Sequence, residues 1–212
     1  MGYTTVIFDM DGTILDTLED LKDAVNVMMR REGLEEVSLE KMRRSVGNGA
    51  AVLIEKVLGK DYPRFDEAYT FFRSYYAEHN QVKTGPYPGI LELMEALHQK
   101  GITMAVVSNK PHEAVIPLSK LFFKDYMTVS MGEHAGTRRK PYPDMVWAVM
   151  EELGKTKEEC VYVGDSEVDF ATAQNSGLDC ISVSWGFRDR ELLEGLGPKA
   201  IIDEPMELLN YI

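Results

Sequence analysis

The 212-residue sequence has only two cysteines, Cys160 and Cys180, and no long uninterrupted apolar run. Both cysteines lie in apolar, strand-like segments without metal-ligand spacing. We therefore expect two buried free thiols, with neither a disulfide nor a zinc site. No segment approaches the roughly 20 apolar residues that cross a bilayer. Since a core strand begins almost at the N-terminus, we also expect no signal peptide, no transmembrane segment and a cytoplasmic protein.

Basic residues are outnumbered as well: 23 Lys and Arg face 35 Asp and Glu, for a formal net charge of -12. This balance opposes non-specific binding to nucleic acids and to anionic membranes, so we expect neither as a partner. A small anionic substrate is still compatible with this net charge. A few cationic side chains and backbone amides can make the electrostatic potential around one site positive.

Two patterns divide the chain. Between residues 17 and 84 apolar positions recur only at helical spacing, whereas beyond residue 85 short apolar strands alternate with helices. Such alternation predicts right-handed crossovers and a mostly parallel sheet. We therefore predict one α/β domain, formed by residues 1–16 and 85–212, that is interrupted by an all-helical insertion at residues 17–84.

The insertion contains four predicted helices. Thr17 is the expected N-cap of the first, with Asp20 in the capping-box position, and Ser38 is the expected cap of the second. Residues 50–58 form the third. The fourth carries an aromatic stripe that is typical of a helix face buried in a core, formed by Phe65, Tyr69, Phe72 and Tyr76.

An acidic pair follows the first strand. Asp9 and Asp11 are separated by one residue and precede Gly12 and Thr13. Two carboxylates that close resist joint ionisation unless a cation shares the space. An all-oxygen environment suits Mg²⁺. By itself, however, an Asp-x-Asp-Gly segment is equally compatible with a simple turn.

Three later strands also end in polar residues, and the carboxyl ends of parallel strands meet at one edge of the sheet. Each segment taken alone is compatible with a turn, a helix cap or a surface charge. Together with the acidic pair they provide what phosphoryl transfer requires, namely a nucleophile, a metal site and donors for the phosphate oxygens. The three segments are Ser108-Asn109-Lys110, Lys140-Pro141 and the run from Gly164 to Asp169.

In chain order, these segments resemble the four motifs of the haloacid-dehalogenase-like hydrolase superfamily. The matching residues are Asp9-x-Asp11-Gly12-Thr13, Ser108-Asn109, Lys140-Pro141 and Gly164-Asp165-x-x-x-Asp169. The helical insertion is similar to the small cap of the superfamily's phosphoglycolate phosphatase and β-phosphoglucomutase group. The resemblance implies a Rossmann-like three-layer core, with residues 17–84 as the inserted cap domain.

The resemblance also implies a role for each matching residue. Asp9 would be the nucleophile, Asp11 the general acid and later base, and Lys140 the cation that neutralises Asp9 and the phosphate. The carboxylates of Asp9 and Asp165, with the main-chain carbonyl of Asp11, would hold Mg²⁺. The phosphoryl group would be bound by Gly12, Thr13, Ser108, Asn109 and Lys140, and Ser166 and Asp169 would support the metal site and Lys140.

The turn between the second and third helices contains Arg43, Gly47, Asn48 and Gly49. It is similar to the cap loop that closes over the substrate in phosphoglycolate phosphatases, although an ordinary interhelical turn explains it equally well. Mutase relatives carry a cap arginine just after the position of Gly47. Here Asn48, Gly49 and Ala50 follow Gly47, which argues against a mutase. Arg188, later in the chain, is compatible with a substrate contact, but we expect it to be a surface arginine.

We therefore expect a Mg²⁺-dependent phosphomonoester hydrolase that acts on a small phosphorylated metabolite through an aspartyl-phosphate. Phosphoglycolate is the best specific candidate, and pyrophosphate, nucleoside monophosphates and small sugar phosphates stay open. The alternatives are a β-phosphoglucomutase-like isomerase and a non-enzymatic domain that senses phosphate or binds a partner. The expected assembly is a monomer or a weak homodimer.

Overall fold

The computed structural model describes residues 2–212. Its central feature is a six-stranded sheet with the strand order β5-β4-β1-β6-β7-β8, in which every pairing is parallel. A separate two-stranded sheet pairs β2 with β3. The strands are β1 (Thr5–Phe8), β2 (Leu15–Asp16), β3 (Gly85–Pro86), β4 (Thr103–Pro111), β5 (Met127–Glu133), β6 (Cys160–Gly164), β7 (Asp179–Val183) and β8 (Ala200–Ile202).

Nine α-helices connect these strands in the described part of the chain. They are α1 (Leu18–Arg31), α2 (Leu39–Ser45), α3 (Ala50–Leu58), α4 (Phe65–His79), α5 (Ile90–Gln99), α6 (His112–Phe123), α7 (Asp144–Leu153), α8 (Glu167–Ser176) and α9 (Arg190–Leu196). Short 3₁₀ helices cover Lys157–Glu159 and Pro205–Asn210. Over residues 2–212, no helix combines the length and the apolar character needed to cross a bilayer.

The strand β1 lies at the centre of the large sheet, and all four of its residues are buried. Val6 and Phe8 contribute to one hydrophobic cluster, which α5 and α6 cover, while Ile7 points into a second cluster beneath α7 and α8. This double burial explains why the strand is continuously apolar rather than alternating. The predicted α/β fold, a three-layer Rossmann-like arrangement, is confirmed.

The helices α1 to α4 pack around a further hydrophobic cluster, which also includes Phe187 from the sheet domain. The chain leaves the large sheet and returns to it through the antiparallel β2–β3 ribbon, in which Leu15 pairs with Pro86 and Asp16 with Gly85. This ribbon was not predicted. It lies at the two predicted junctions between the α/β domain and the insertion, and the division into a core and a cap at residues 17–84 stays a prediction.

The start of α1 differs from the expected capping box. Thr17 has φ -111° and ψ 2°, not the extended conformation of a capping residue, and its side chain makes no capping bond. The buried carboxylate of Asp20 instead accepts hydrogen bonds from the backbone amides of residues 82–84 at 2.9–3.0 Å. The capping-box prediction is therefore wrong, and Asp20 ties the returning chain to α1. Ser38 caps α2 as predicted, since its side chain accepts from the Lys41 amide.

We predict that Asp20→Ala lowers the free energy of unfolding by about 2 kcal/mol, because it removes charge-assisted hydrogen bonds to several backbone amides. The measurement is urea denaturation followed by circular dichroism. Asp23→Ala is the matched control, since the Asp23 side chain is half-exposed and pairs with lysines on the surface. It should change the free energy by less than about 1 kcal/mol. Equal losses in the two variants would contradict this role for Asp20.

Candidate active site

The predicted residues meet at the carboxyl edge of the large sheet. Asp9 directly follows β1, Ser108 and Asn109 lie near the end of β4, and Asp165 directly follows β6. Lys140 reaches the same place from the segment between β5 and α7. The parallel topology thus brings together residues that are up to 156 positions apart in the sequence.

The side chain of Lys140 is 1% exposed, and its ammonium lies between two carboxylates. Its Nζ is 2.8 Å from Asp9 Oδ1, 2.8 Å from Asp169 Oδ1 and 3.1 Å from the Tyr162 hydroxyl. Burial alone would lower the pKa of Lys140, but the attraction of Asp169 and Asp9 raises it well above its ordinary value. The lysine is therefore a permanent positive charge beside Asp9.

Asn109 holds the backbone of Lys140 in place. Its Oδ1 accepts from the Lys140 amide at 2.8 Å, and its Nδ2 donates to the Lys140 carbonyl at 3.0 Å. The same Nδ2 lies 3.1 Å from the carbonyl oxygen of Gly47 in the helical insertion. These contacts occupy the side-chain amide of Asn109. The predicted contact of Asn109 with a phosphate would therefore be made by its backbone.

Three buried acids lie close together here, and two of them contact the Lys140 ammonium. Asp9, Asp165 and Asp169 each present a carboxylate oxygen, and these oxygens lie within 4.8 Å of one another. Burial, followed by repulsion from Asp169, raises the pKa of Asp9 to about 7. Burial and repulsion from Asp169 and Asp9 raise the pKa of Asp165 well above its ordinary value. The site is thus short of positive charge, and its all-oxygen donor set fits a divalent cation.

The three acids do not have equal freedom to bind a cation. Asp169 uses one oxygen on Lys140 and the other on the hydroxyl and amide of Ser166, at 2.5 and 3.1 Å. Asp165 Oδ2 accepts a hydrogen bond from the Phe187 amide at 2.7 Å. Within residues 2–212 no hydrogen bond occupies Asp165 Oδ1, so this oxygen can bind a ligand. This geometry fits Asp9 and Asp165 as metal ligands and Asp169 as the support of Lys140 and Ser166. These roles stay predictions.

Asp165 is enclosed by two glycines. A Cβ on Gly12, which has φ +84°, would come within 2.9 Å of the Phe187 ring, and a Cβ on Gly186 would collide with Asp165 itself. The sequence predicts a backbone at Gly12 that lies close to the phosphate. The structure adds a second reason for this glycine, because Asp165 needs the same space.

The two predicted hydroxyl donors are both buried. The Ser108 hydroxyl lies 3.3 Å from the Lys110 amide, from which it accepts. The Thr13 hydroxyl has no hydrogen-bond partner within the described chain, and its main-chain carbonyl accepts from the Trp185 indole at 3.0 Å. Their contacts with a phosphoryl group stay predictions.

Sequence reasoning missed the role of Lys110. The buried Lys110 Nζ is 2.9 Å from Asp11 Oδ1 and 2.6 Å from the Tyr76 hydroxyl. Burial lowers the pKa of Lys110, but attraction to Asp11 and Tyr76 outweighs this effect and raises it above its ordinary value. Tyr76 stacks on Phe72 in the insertion core as predicted, yet its hydroxyl reaches the active site. One signal was available, since Lys110 follows Ser108 and Asn109 at the sheet edge where Asp11 lies.

Arg188 is buried, so the expectation of a surface arginine is wrong. Its guanidinium donates to both carboxylate oxygens of Glu167 at 2.7 and 3.1 Å. It also donates to the carbonyl oxygens of Val46 at 2.8 Å and Arg43 at 3.2 Å. The sequence does not reveal these contacts, because every residue type has the same backbone carbonyl. Arg188 thus connects the sheet domain to the turn that was predicted to be a substrate loop.

The turn itself is only partly directed at the site. Gly47 and Gly49 line the cleft between the insertion and the sheet, whereas in the described chain Arg43 and Asn48 do not. The Arg43 guanidinium contacts the Gly186 carbonyl at 3.3 Å and the Asp189 carboxylate at 3.3 Å. The structure therefore does not bring Arg43 to the cleft, and a substrate contact by this loop stays a prediction.

The cleft has a volume of about 380 Å³. The sheet domain contributes a polar floor, and α4 contributes an aromatic wall. The floor consists of Asp9, Asp11, Ser108, Asn109 and Lys110, and the wall includes Tyr69, Phe72 and Tyr76. A ligand in this cleft would contact both parts of the molecule.

Comparison with known proteins agrees with this geometry. The profile of the haloacid dehalogenase-like hydrolases matches residues 6–183. A phosphoglycolate phosphatase from Pseudomonas putida is 32% identical over 212 residues, which cover 96% of this chain and 78% of the relative. Another, from Agrobacterium fabrum, is 33% identical over 204 residues, with 93% of this chain and 87% of the relative covered.

A crystal structure from Lactobacillus delbrueckii subsp. bulgaricus is also similar. It belongs to a protein provisionally described as a phosphoglycolate phosphatase, has a TM-score of 0.91 and 40% identity, and covers 98% of this chain and 97% of its own. The chain belongs to the haloacid dehalogenase-like hydrolase family. The prediction that it is an enzyme of the phosphatase class is confirmed by these relatives. Phosphatases of this family generally use a divalent metal, which agrees with the buried acidic cluster.

We predict that the affinity for Mg²⁺ weakens as the pH falls. A metal binds the ionised carboxylate, and in the metal-free protein burial raises the pKa of Asp9 to about 7. Protons therefore compete below that pH, and the Kd should increase about tenfold or more between pH 8 and pH 6. The measurement is calorimetric titration of the metal-free protein.

Two variants control this titration. Asp165→Asn removes a proposed ligand and should weaken binding at both pH values. Asp125→Asn changes an exposed acid and should behave like the wild type. An Mg²⁺ affinity in the wild type that does not change between pH 6 and pH 8 would contradict this prediction.

Proposed function

We propose that this chain is a Mg²⁺-dependent phosphomonoester hydrolase that hydrolyses phosphoglycolate through an aspartyl-phosphate on Asp9. One observation carries the proposal: Asp9 is buried at the sheet edge with Lys140 Nζ at 2.8 Å and a second buried acid, Asp165, nearby. Binding alone does not require a nucleophilic carboxylate held in this way. Phosphoglycolate is supported by the names of relatives that match nearly the whole chain.

In the first step a carboxylate oxygen of Asp9 attacks phosphorus, and the bond between phosphorus and the ester oxygen breaks. Asp9 Oδ1 already accepts from the Met10 amide at 2.7 Å and from Lys140, so the carboxylate has a fixed orientation before the substrate arrives. The positive charge of Lys140 offsets the negative charge of both the carboxylate and the phosphate. Asp11 gives its proton to the leaving ester oxygen.

In the second step the carboxylate of Asp11 takes a proton from water. The resulting nucleophile attacks the phosphorus of the aspartyl-phosphate, which releases inorganic phosphate and restores Asp9. Mg²⁺, held by Asp9, Asp165 and the main-chain carbonyl of Asp11, would reduce the repulsion between the acids and the phosphate. Asp169 keeps Lys140 in place throughout, since its Oδ1 lies 2.8 Å from the ammonium.

Residues 17–84 act in this proposal as a cap over the cleft. The chain passes twice between the cap and the core, at the β2–β3 ribbon, and this ribbon is the natural place for a hinge. Closure would exclude bulk water while the phosphoryl group is transferred. Across the cleft, α4 faces the sheet edge that carries Asp9 and Asp11.

We predict that Asp9→Asn reduces the rate of phosphate release from phosphoglycolate roughly 10³-fold or more, because the amide is a poor nucleophile. Phosphate release is measured in the presence of Mg²⁺, and circular dichroism checks the fold. Mass spectrometry of the acid-quenched wild type should locate the phosphoryl group on Asp9.

The matched control is Asp125→Asn, which makes the same chemical change at an exposed acid and should retain wild-type activity. Full activity in Asp9→Asn would refute the proposed mechanism. A phosphoryl group trapped on any other residue would refute it too.

A further inference from the structure

A second buried lysine lies at the active site, and the mechanism above does not use it. Lys110 Nζ is in contact with Asp11 Oδ1 at 2.9 Å and with the Tyr76 hydroxyl at 2.6 Å. The lysine comes from the sheet domain, whereas Tyr76 comes from α4 of the helical insertion. A buried ammonium needs partners of this kind, so its presence at the cleft needs an explanation.

Cations are rare on the cleft surface. Among its lining residues within positions 2–212, only Arg73 and Lys110 carry a positive charge. Arg73 forms an ion pair with Glu113, and its side chain is 46% exposed, so solvent already screens it. Lys110 is therefore the buried cation that an anionic part of the substrate would meet inside the cleft.

The position of Lys110 limits where that anionic part can lie. Asp11 protonates the leaving ester oxygen and must therefore come within hydrogen-bonding distance of it. Lys110 contacts this same carboxyl group, so the ammonium lies close to the atoms attached to the ester oxygen. The anion that it can reach is one bonded to the carbon that carries the ester oxygen.

We infer that Lys110 is a specificity-determining residue that binds the substrate's carboxylate, with Tyr76 as its partner from the cap. This inference rests on the proposed function and identifies the substrate class as phosphate esters of 2-hydroxy carboxylic acids. Phosphoglycolate is the smallest member of this class.

The Lys110 ammonium has one donor left for the carboxylate. Within residues 2–212, two of its three N–H groups donate to Asp11 Oδ1 and to the Tyr76 hydroxyl. The third can donate to the incoming carboxylate. Burial raises the pKa of Tyr76 to about 12, so its phenol stays protonated and donates to the carboxylate while accepting from Lys110.

The test compares kcat/KM for phosphoglycolate with kcat/KM for 2-hydroxyethyl phosphate, which has a neutral hydroxymethyl group in place of the carboxylate. The ratio of the two values is the readout. Lys110→Met should reduce this ratio about 10- to 100-fold, the cost of losing a charged hydrogen bond. Lys110→Arg should keep most of the ratio, and Tyr76→Phe should reduce it about threefold to tenfold.

A different role for Lys110 predicts a different pattern. If the lysine only positions Asp11 or stabilises the fold, Lys110→Met reduces kcat/KM for both substrates by the same factor, and the unchanged ratio overturns the inference. Lys120→Met removes an equal charge from the exposed face of α6 and should leave the ratio at its wild-type value. If Lys120→Met alters the ratio as much as Lys110→Met, net charge explains the effect, which also overturns the inference.

Pyrophosphate distinguishes a carboxylate from a second phosphate. If Lys110→Met impairs hydrolysis of pyrophosphate more than that of phosphoglycolate, Lys110 binds phosphate, and the assignment to a carboxylate is wrong. A wild type that hydrolyses both organic esters equally well overturns the proposed substrate together with this inference. A wild type that prefers phosphoglycolate, and keeps that preference in Lys110→Met, overturns the inference alone.

Discussion

The buried ammonium of Lys140, held between Asp9 and Asp169, is the interaction on which the site depends. It joins three separate elements: the end of β1, the segment before α7, and the first turn of α8. A buried ion pair of this kind adds little net stability, because desolvation offsets much of the attraction. What it provides is one fixed geometry, since neither carboxylate can leave the ammonium without exposing an unpaired charge.

The site has two buried ion-pair clusters, one around Lys140 and one around Lys110, and the two differ in their balance of charge. Near Lys140 three buried carboxylates cluster, two of them in contact with its ammonium, and this excess of negative charge favours a further cation. Around Lys110 a single carboxylate, that of Asp11, faces a single ammonium, so this pair is neutral by itself. In the proposed mechanism the cluster around Lys140 binds the transferred phosphoryl group, and the pair of Lys110 and Asp11 faces the part of the substrate that leaves.

The predicted and the missed residues differ in what they contact. Asp9, Lys140 and Asp165 could be placed from the sequence, because each follows a recognisable strand or motif and a parallel sheet brings strand ends together. Arg188 and Asp20 could not, since each binds backbone groups far along the chain, and a backbone carbonyl or amide is the same for every residue type. The sequence shows which side chains are present. It does not show which distant peptide groups they meet.

The contacts of Asn109 and Arg188 also link the helical insertion to the candidate active site. The Asn109 amide lies within hydrogen-bonding distance of both the Lys140 carbonyl and the Gly47 carbonyl, and so contacts Lys140 and the turn between α2 and α3 at once. Arg188 binds the same turn, one residue after the Phe187 amide that donates to Asp165. Moving the turn away from the sheet would break bonds to residues that order the catalytic groups. The position of the helical insertion and the order of the candidate active site therefore depend on the same hydrogen bonds.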